Sequence, residues 1–131
     1  MKTLVETPPE TVLIVDDEAI VRNITNKLLR RFGYQVLMAS DGNEAIRIYE
    51  SKHQDIDVIL LDLNMPSLNG RSTVENIRKI NPFANIIVSS GFLQEQQVKH
   101  LQARGIEYFL EKPFHPDDLL KIIRSSVHNR N

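Results

Sequence analysis

Five short runs rich in Val, Ile and Leu punctuate the chain: Thr11 to Val15, Gln35 to Ala39, Asp57 to Leu61, Asn85 to Ser89 and Ile106 to Leu110. The first, third and fourth are apolar at both alternating positions, as parallel strands covered by helices on each side must be. Between the runs the apolar period lengthens to that of a helix. Ile20, Ile24 and Leu28 repeat at i, i+4, i+8, and Val21, Leu29 and Phe32 widen that stripe before Gly33 supplies a C-terminal stop. Ser40 or Asp41 can cap a second helix that buries Ala45, Ile46 and Tyr49. Val74 and Ile77 mark a third, ending near Asn81-Pro82. A fourth, Gln94 to Arg104, is closed by Gly105 and has only Val98, Leu101 and Ala103 as apolar residues. Such a thin stripe predicts a weakly held element. Pro116 fits the first position of a fifth helix, with Asp117 and Asp118 in its positive first turn and Leu119, Leu120, Ile123 and Val127 behind.

Five repeats of strand then helix predict an α/β fold, a parallel sheet with right-handed crossovers and helices on both faces. At 131 residues the chain makes one domain with a core that needs no staple, and with no Cys it has no disulfide, thiolate metal site or cysteine nucleophile. Sixteen basic residues against seventeen acidic ones leave a net charge of -1, so no broad electrostatic footprint points to nucleic acid or an anionic membrane. The stretch MKTLVETPPE lacks the apolar run of a signal peptide or anchor and reads as a flexible arm over residues 1–10, ahead of a domain over 11–128. The longest apolar runs, Val12 to Val15 and Val58 to Leu61, fall far short of the ~20 residues that cross a bilayer, and a cytoplasmic protein is expected.

In an open sheet of this kind, ligands bind beyond the carboxyl ends of the strands, so the polar residues there bear the chemistry. The first strand leads into Asp16-Asp17-Glu18, the third into Asp62 and Asn64, the fourth into Ser90-Gly91, and the fifth into Glu111-Lys112-Pro113-Phe114. Taken alone, the acidic triplet also reads as a helix cap. If the first and third strands are neighbours, however, Asp16, Asp17 and Asp62 converge, and three carboxylates so close repel unless a cation sits among them. All-oxygen ligands favour a hard ion such as Mg²⁺. Carboxylates, a hard cation, a Lys and a hydroxyl are together the parts of a phosphoryl-transfer site.

From about Thr11 to Val127 the sequence resembles the receiver domain of two-component response regulators. The stretches that carry the resemblance are VLIVDDE, DVILLDLNMPSLNG, IIVSSG and FLEKPF. They stand in the family's order, with 45 residues from Asp17 to Asp62, 28 from there to Ser90 and 22 from there to Lys112. The resemblance implies a flavodoxin-like, doubly wound five-stranded parallel sheet of order 2-1-3-4-5. It also implies phosphorelay signalling: Asp62 accepts a phosphoryl group from the phosphohistidine of a histidine kinase or histidine phosphotransfer protein. In that scheme Mg²⁺ (or Mn²⁺) is ligated by Asp62, by Asp17 directly, by Asp16 largely through water, and by the backbone carbonyl of Asn64. Lys112 pairs with Asp62 before reaction and with a phosphoryl oxygen afterwards, and Ser90 donates its hydroxyl to another.

The output implied by the family is a movement of Ser90 that lets the aromatic Phe109 swing inward. This rearranges the fourth helix, fifth strand and fifth helix for partner binding, a homodimer among the uses of that surface, with no direct nucleic-acid or membrane contact. Asn64 and Phe92 border the attacking water and tune hydrolysis, Gly70 is a turn glycine needing positive φ, and Lys112-Pro113 is a cis peptide. The chain is then a signalling domain with self-phosphorylation and self-dephosphorylation chemistry and not a conventional enzyme. It stands alone, or is part of a larger regulator or hybrid histidine kinase, which TVLIVDDE and SSGF resemble. The alternative is a receiver-like docking module that takes no phosphate. A haloacid-dehalogenase-type phosphatase would want Asp where Asn64 stands, and a dinucleotide enzyme would want G-x-G-x-x-G where DDEAIV stands. His53, His100, His115 and His128 lack metal-ligand spacing and read as surface residues.

Overall fold

A computed structural model describes residues 9–65 and 70–128. Five strands, β1 (Thr11–Val15), β2 (Gln35–Ala39), β3 (Val58–Asp62), β4 (Ile86–Ser90) and β5 (Tyr108–Glu111), form one parallel sheet in the order β2-β1-β3-β4-β5. Five helices alternate with them: α1 (Ala19–Arg31), α2 (Gly42–Lys52), α3 (Gly70–Ile80), α4 (Glu95–Gln102) and α5 (Pro116–His128), with a single 3₁₀ turn, His53–Asp55, after α2. The fold is therefore the flavodoxin-like one expected. The arm over residues 1–10 falls almost wholly outside the described residues.

Strand periodicity sorts the core into two layers. One side chain in two, including Leu13, Ile59, Leu61 and Val88, packs with Tyr49, Val74, Ile77 and Leu101 of α2, α3 and α4. The others, including Val12, Ile14, Leu60 and Ile87, meet Leu29 of α1 and Leu119 and Ile123 of α5. All residues of β1, β3 and β4 are buried, as central strands covered on both faces should be.

Several boundaries differ from expectation. β3 and β4 each run one residue later, so Asp62 and Ser90 close their strands and do not follow them. β5 begins at Tyr108, because Ile106 is drawn back to α4 by its N–H bond to Leu101 O at 3.0 Å. The predicted stripe of α1 is displaced: Thr25 and Leu29 are buried, whereas Ile20, Ile24 and Phe32 are exposed. In α2, Ala45 and Tyr49 are buried as expected but Ile46 is only half-buried, and Ile48 packs on the core in its place. α4 spans eight residues and buries Leu101 alone.

The stops and caps are where their chemistry puts them. Gly33 and Gly105 have φ of 95° and 89°, a region that side-chain-bearing residues avoid. Asp41 caps α2 by accepting from Glu44 N at 2.8 Å, while the Glu44 carboxylate accepts from Ser40 N at 2.7 Å, one residue before the cap.

Candidate phosphoacceptor site

The pairing of β1 with β3 sets Val15 opposite Leu61, so Asp16 and Asp62 leave the sheet at one level. One oxygen from each of Asp16, Asp17 and Asp62 lies within 4.8 Å of the others. Asp16 and Asp62 are each 4% exposed, whereas Asp17 faces solvent. The three carboxylates expected to converge do so.

Lys112, arriving from the end of β5, places its ammonium 2.7 Å from Asp16 Oδ2, 3.3 Å from Asp62 Oδ2 and 3.9 Å from Glu18 Oε1. It thus pairs with Asp62 as anticipated, but its shorter bond is to Asp16. The remaining oxygen of Asp16 accepts from Glu18 N at 2.9 Å, and that of Asp62 from Asn64 N at 3.1 Å. Burial raises the Asp62 pKa above the ordinary carboxylate value and the charge of Asp16 adds to the rise, outweighing Asn64 N–H and Lys112. For Lys112 burial acts downward, but the hydrogen bond to Asp16 and the charges of Asp62 and Asp16 prevail and raise its pKa.

One ammonium thus faces three carboxylates, two of them buried. Oxygen-only donors this close, with one at the solvent edge where water can complete the coordination shell, suit a hard divalent cation. The residues present therefore fit Mg²⁺.

Ser90, 0% exposed, stands on the neighbouring strand, where β3 pairs Asp62 with Ser89. Its Oγ accepts from Asn64 Nδ2 at 2.8 Å and from Phe92 N at 3.2 Å, and donates to Phe92 O at 3.0 Å. Lys112 N donates to Ser90 O at 2.7 Å, tying the β4 and β5 ends together. Phe92 itself is 66% exposed at the rim. Phe109 is half-buried against the α2–α4 layer, paired in register with Val88. The Lys112-Pro113 peptide is cis. Gly70 opens α3, and the turn it was expected to close lies outside the described residues. His115 and His128 are exposed, but His53 and His100 are half-buried, His53 with its ring 5.7 Å from that of Tyr49.

One contributor escaped the sequence: Arg22, which holds the Asp16 carbonyl at 2.8 Å. Glu18, read only as part of the acidic triplet, is the third carboxylate near the Lys112 ammonium. Arg22 stands four residues after Glu18, one turn into α1, but nothing in the sequence separates it from an ordinary solvated arginine. Beside them Val21, Ile24, Thr25, Pro113 and Phe114 line a mostly apolar hollow that shares Glu18 and Lys112 with the acidic cluster.

A doubly wound sheet of this order, with acidic residues at the switch between β1 and β3 and a lysine from β5, defines the receiver class of signalling domains. The family model of the response regulator receiver domain matches residues 12–124, and the chain belongs to that family. It is 35% identical over 113 residues to the chemotaxis protein CheY of Thermotoga maritima, covering 86% of this chain and 92% of that one. It is 37% identical over 123 residues to the probable transcriptional regulator ycf27 of Guillardia theta, covering 93% of this chain but 47% of that protein. The chain thus spans about half the length of some curated relatives it matches. Among solved structures, the CheX-CheY-BeF3-Mg²⁺ complex of Borrelia burgdorferi superposes with a TM-score of 0.85 at 30% identity, over 89% of this chain and 88% of that one. Among the described residues no helix is long and apolar enough to cross a membrane.

Proposed function

We propose that residues 11–128 are a phosphoacceptor switch in a phosphorelay, with Asp62 as the acceptor. The observation that carries this reading is the convergence of Asp16, Asp17 and Asp62, with the Lys112 ammonium on Asp16 and Asp62. A carboxylate oxygen of Asp62 attacks the phosphorus in line while the bond to the donor imidazole nitrogen breaks, giving an acyl phosphate and a free imidazole. Asp17, Asp62 and the Asn64 carbonyl would hold a Mg²⁺ (or Mn²⁺), with Asp16 acting through water, and the ion would supply positive charge to neutralise the phosphoryl oxygens. Asp16 already spends both oxygens on Glu18 N and Lys112, which favours that indirect part. Lys112 transfers its charge from the carboxylates to a phosphoryl oxygen, and Ser90 donates to another.

The donor is a histidine kinase or histidine phosphotransfer protein. The apolar face left by Ile20 and Ile24, 75% and 63% exposed, adjoins the hollow that shares Lys112 with the acceptor site, and a helical donor seated there would bring its phosphohistidine over Asp62. Phe109, held only by packing and half-buried, is the element that follows Ser90, and the surface of α4, β5 and α5 is the output, used by partners in the cytoplasm or by a second copy. Incubation with acetyl phosphate and Mg²⁺ followed by intact-mass measurement tests the reading. One phosphoryl group is expected on the wild type and none on Asp62→Asn; an unlabelled wild type would leave the docking-module alternative.

A further inference from the structure

The hydroxyl of Ser90 has one proton to give and two lone pairs to receive with, and all three are in use. The proton goes to Phe92 O at 3.0 Å; the lone pairs take Phe92 N–H at 3.2 Å and the Asn64 side-chain amide at 2.8 Å. The two bonds to Phe92 are local and travel with the chain that follows β4. The Asn64 bond joins residues 26 apart in sequence, and it is the only bond from the Ser90 hydroxyl to another element among the described residues. Asn64 is itself fixed, since its main-chain N–H donates to Asp62 Oδ1 at 3.1 Å. One residue therefore connects the acceptor carboxylate to the switch hydroxyl, through its backbone on one side and its side chain on the other.

That wiring opposes the act expected of Ser90. To donate to a phosphoryl oxygen on Asp62, the hydroxyl must withdraw its proton from Phe92 O and turn it toward the acceptor. The Asn64 amide is the donor that pins the oxygen as it stands, and reorienting the hydroxyl's lone pairs works against that bond.

We infer that Asn64 is a positioning residue, a latch whose side-chain amide holds Ser90 in the resting orientation and so sets how readily the domain takes the phosphoryl-bound state. The inference rests on the phosphoacceptor reading and concerns a function separate from any screening of water. A net hydrogen bond of ordinary strength corresponds to about a three- to tenfold change in an equilibrium.

The test is a titration of the full chain with beryllofluoride, a phosphoryl mimic that does not turn over, in the presence of Mg²⁺, followed by amide NMR. It uses wild type, Asn64→Ala, Ser90→Ala and the double variant. Asn64→Ala is expected to bind about three- to tenfold more tightly than wild type. In metal-free protein its Ser90 and Phe92 amide signals should move toward the positions that wild type reaches when bound. On the Ser90→Ala background the same substitution should change neither. Unchanged or weaker binding by Asn64→Ala, or a gain that persists without the hydroxyl, overturns the latch. A wild type that binds no beryllofluoride overturns the phosphoacceptor reading and the latch with it.

Discussion

Ionising Asp62 carries a cost that its neighbours only partly offset. Burial and the adjacent Asp16 raise its pKa, so the folded state holds a proton there more tightly than the unfolded chain does. The charged form is therefore destabilising above the folded pKa, and that burden lifts as pH falls through it. Asp62→Asn removes the charge and leaves Lys112 its shorter bond to Asp16, so it should stabilise the domain by roughly 1 kcal/mol at neutral pH, seen as a rise in Tm of roughly 3 to 6 °C. The gain should shrink in acid. At the rim, Phe92 is exposed two residues after Ser90, and the proposed role for it is to screen the acyl phosphate from water. Phe92→Glu should speed loss of the phosphoryl group several-fold in a single-turnover decay, and an unaltered rate would remove Phe92 from the account.

Among the helices α4 is held least. Leu101 is its one buried side chain, and its exposed Glu95–Lys99 pair at 3.7 Å adds little. Its amides should exchange with solvent faster than those of α5, which buries Leu119, Leu120, Ile123 and Ser126, and Leu101→Ala should cost about 2 to 4 kcal/mol in denaturant unfolding. The thin stripe of α4 was legible because polar residues outnumber apolar ones in that run. The central strands were legible for the opposite reason: only a strand buried on both faces is apolar at every position. The α1 stripe misled because periodicity reports which residues share a face and not which face meets the core. Ile20 and Ile24 share a face yet stand exposed, whereas Thr25 and Leu29 are buried.

Across the whole molecule, the convergence of the acidic residues follows from strand order; the alternation of strands and helices gave a parallel sheet, and its order came only from the resemblance to receiver domains. What could not be read were bonds that depend on atomic placement: Lys112 nearer Asp16 than Asp62, Arg22 on the Asp16 carbonyl, and Asn64 on Ser90. Because the acidic cluster exists only in the folded chain, a divalent cation should stabilise the fold by mass action. The expected gain is about 2.7 kcal/mol at a concentration 100 times the dissociation constant, read as a Mg²⁺-dependent rise in Tm that Asp17→Asn largely abolishes.

The most direct measurement is to locate the phosphoryl group. The chain is labelled with acetyl phosphate and Mg²⁺, the acyl phosphate is reduced with borohydride, and the modified peptide is sequenced by mass spectrometry. The account predicts a single modified residue, Asp62, and no modification of the Asp62→Asn variant. Modification at Asp16 or Asp17, or labelling that survives in Asp62→Asn, would contradict it.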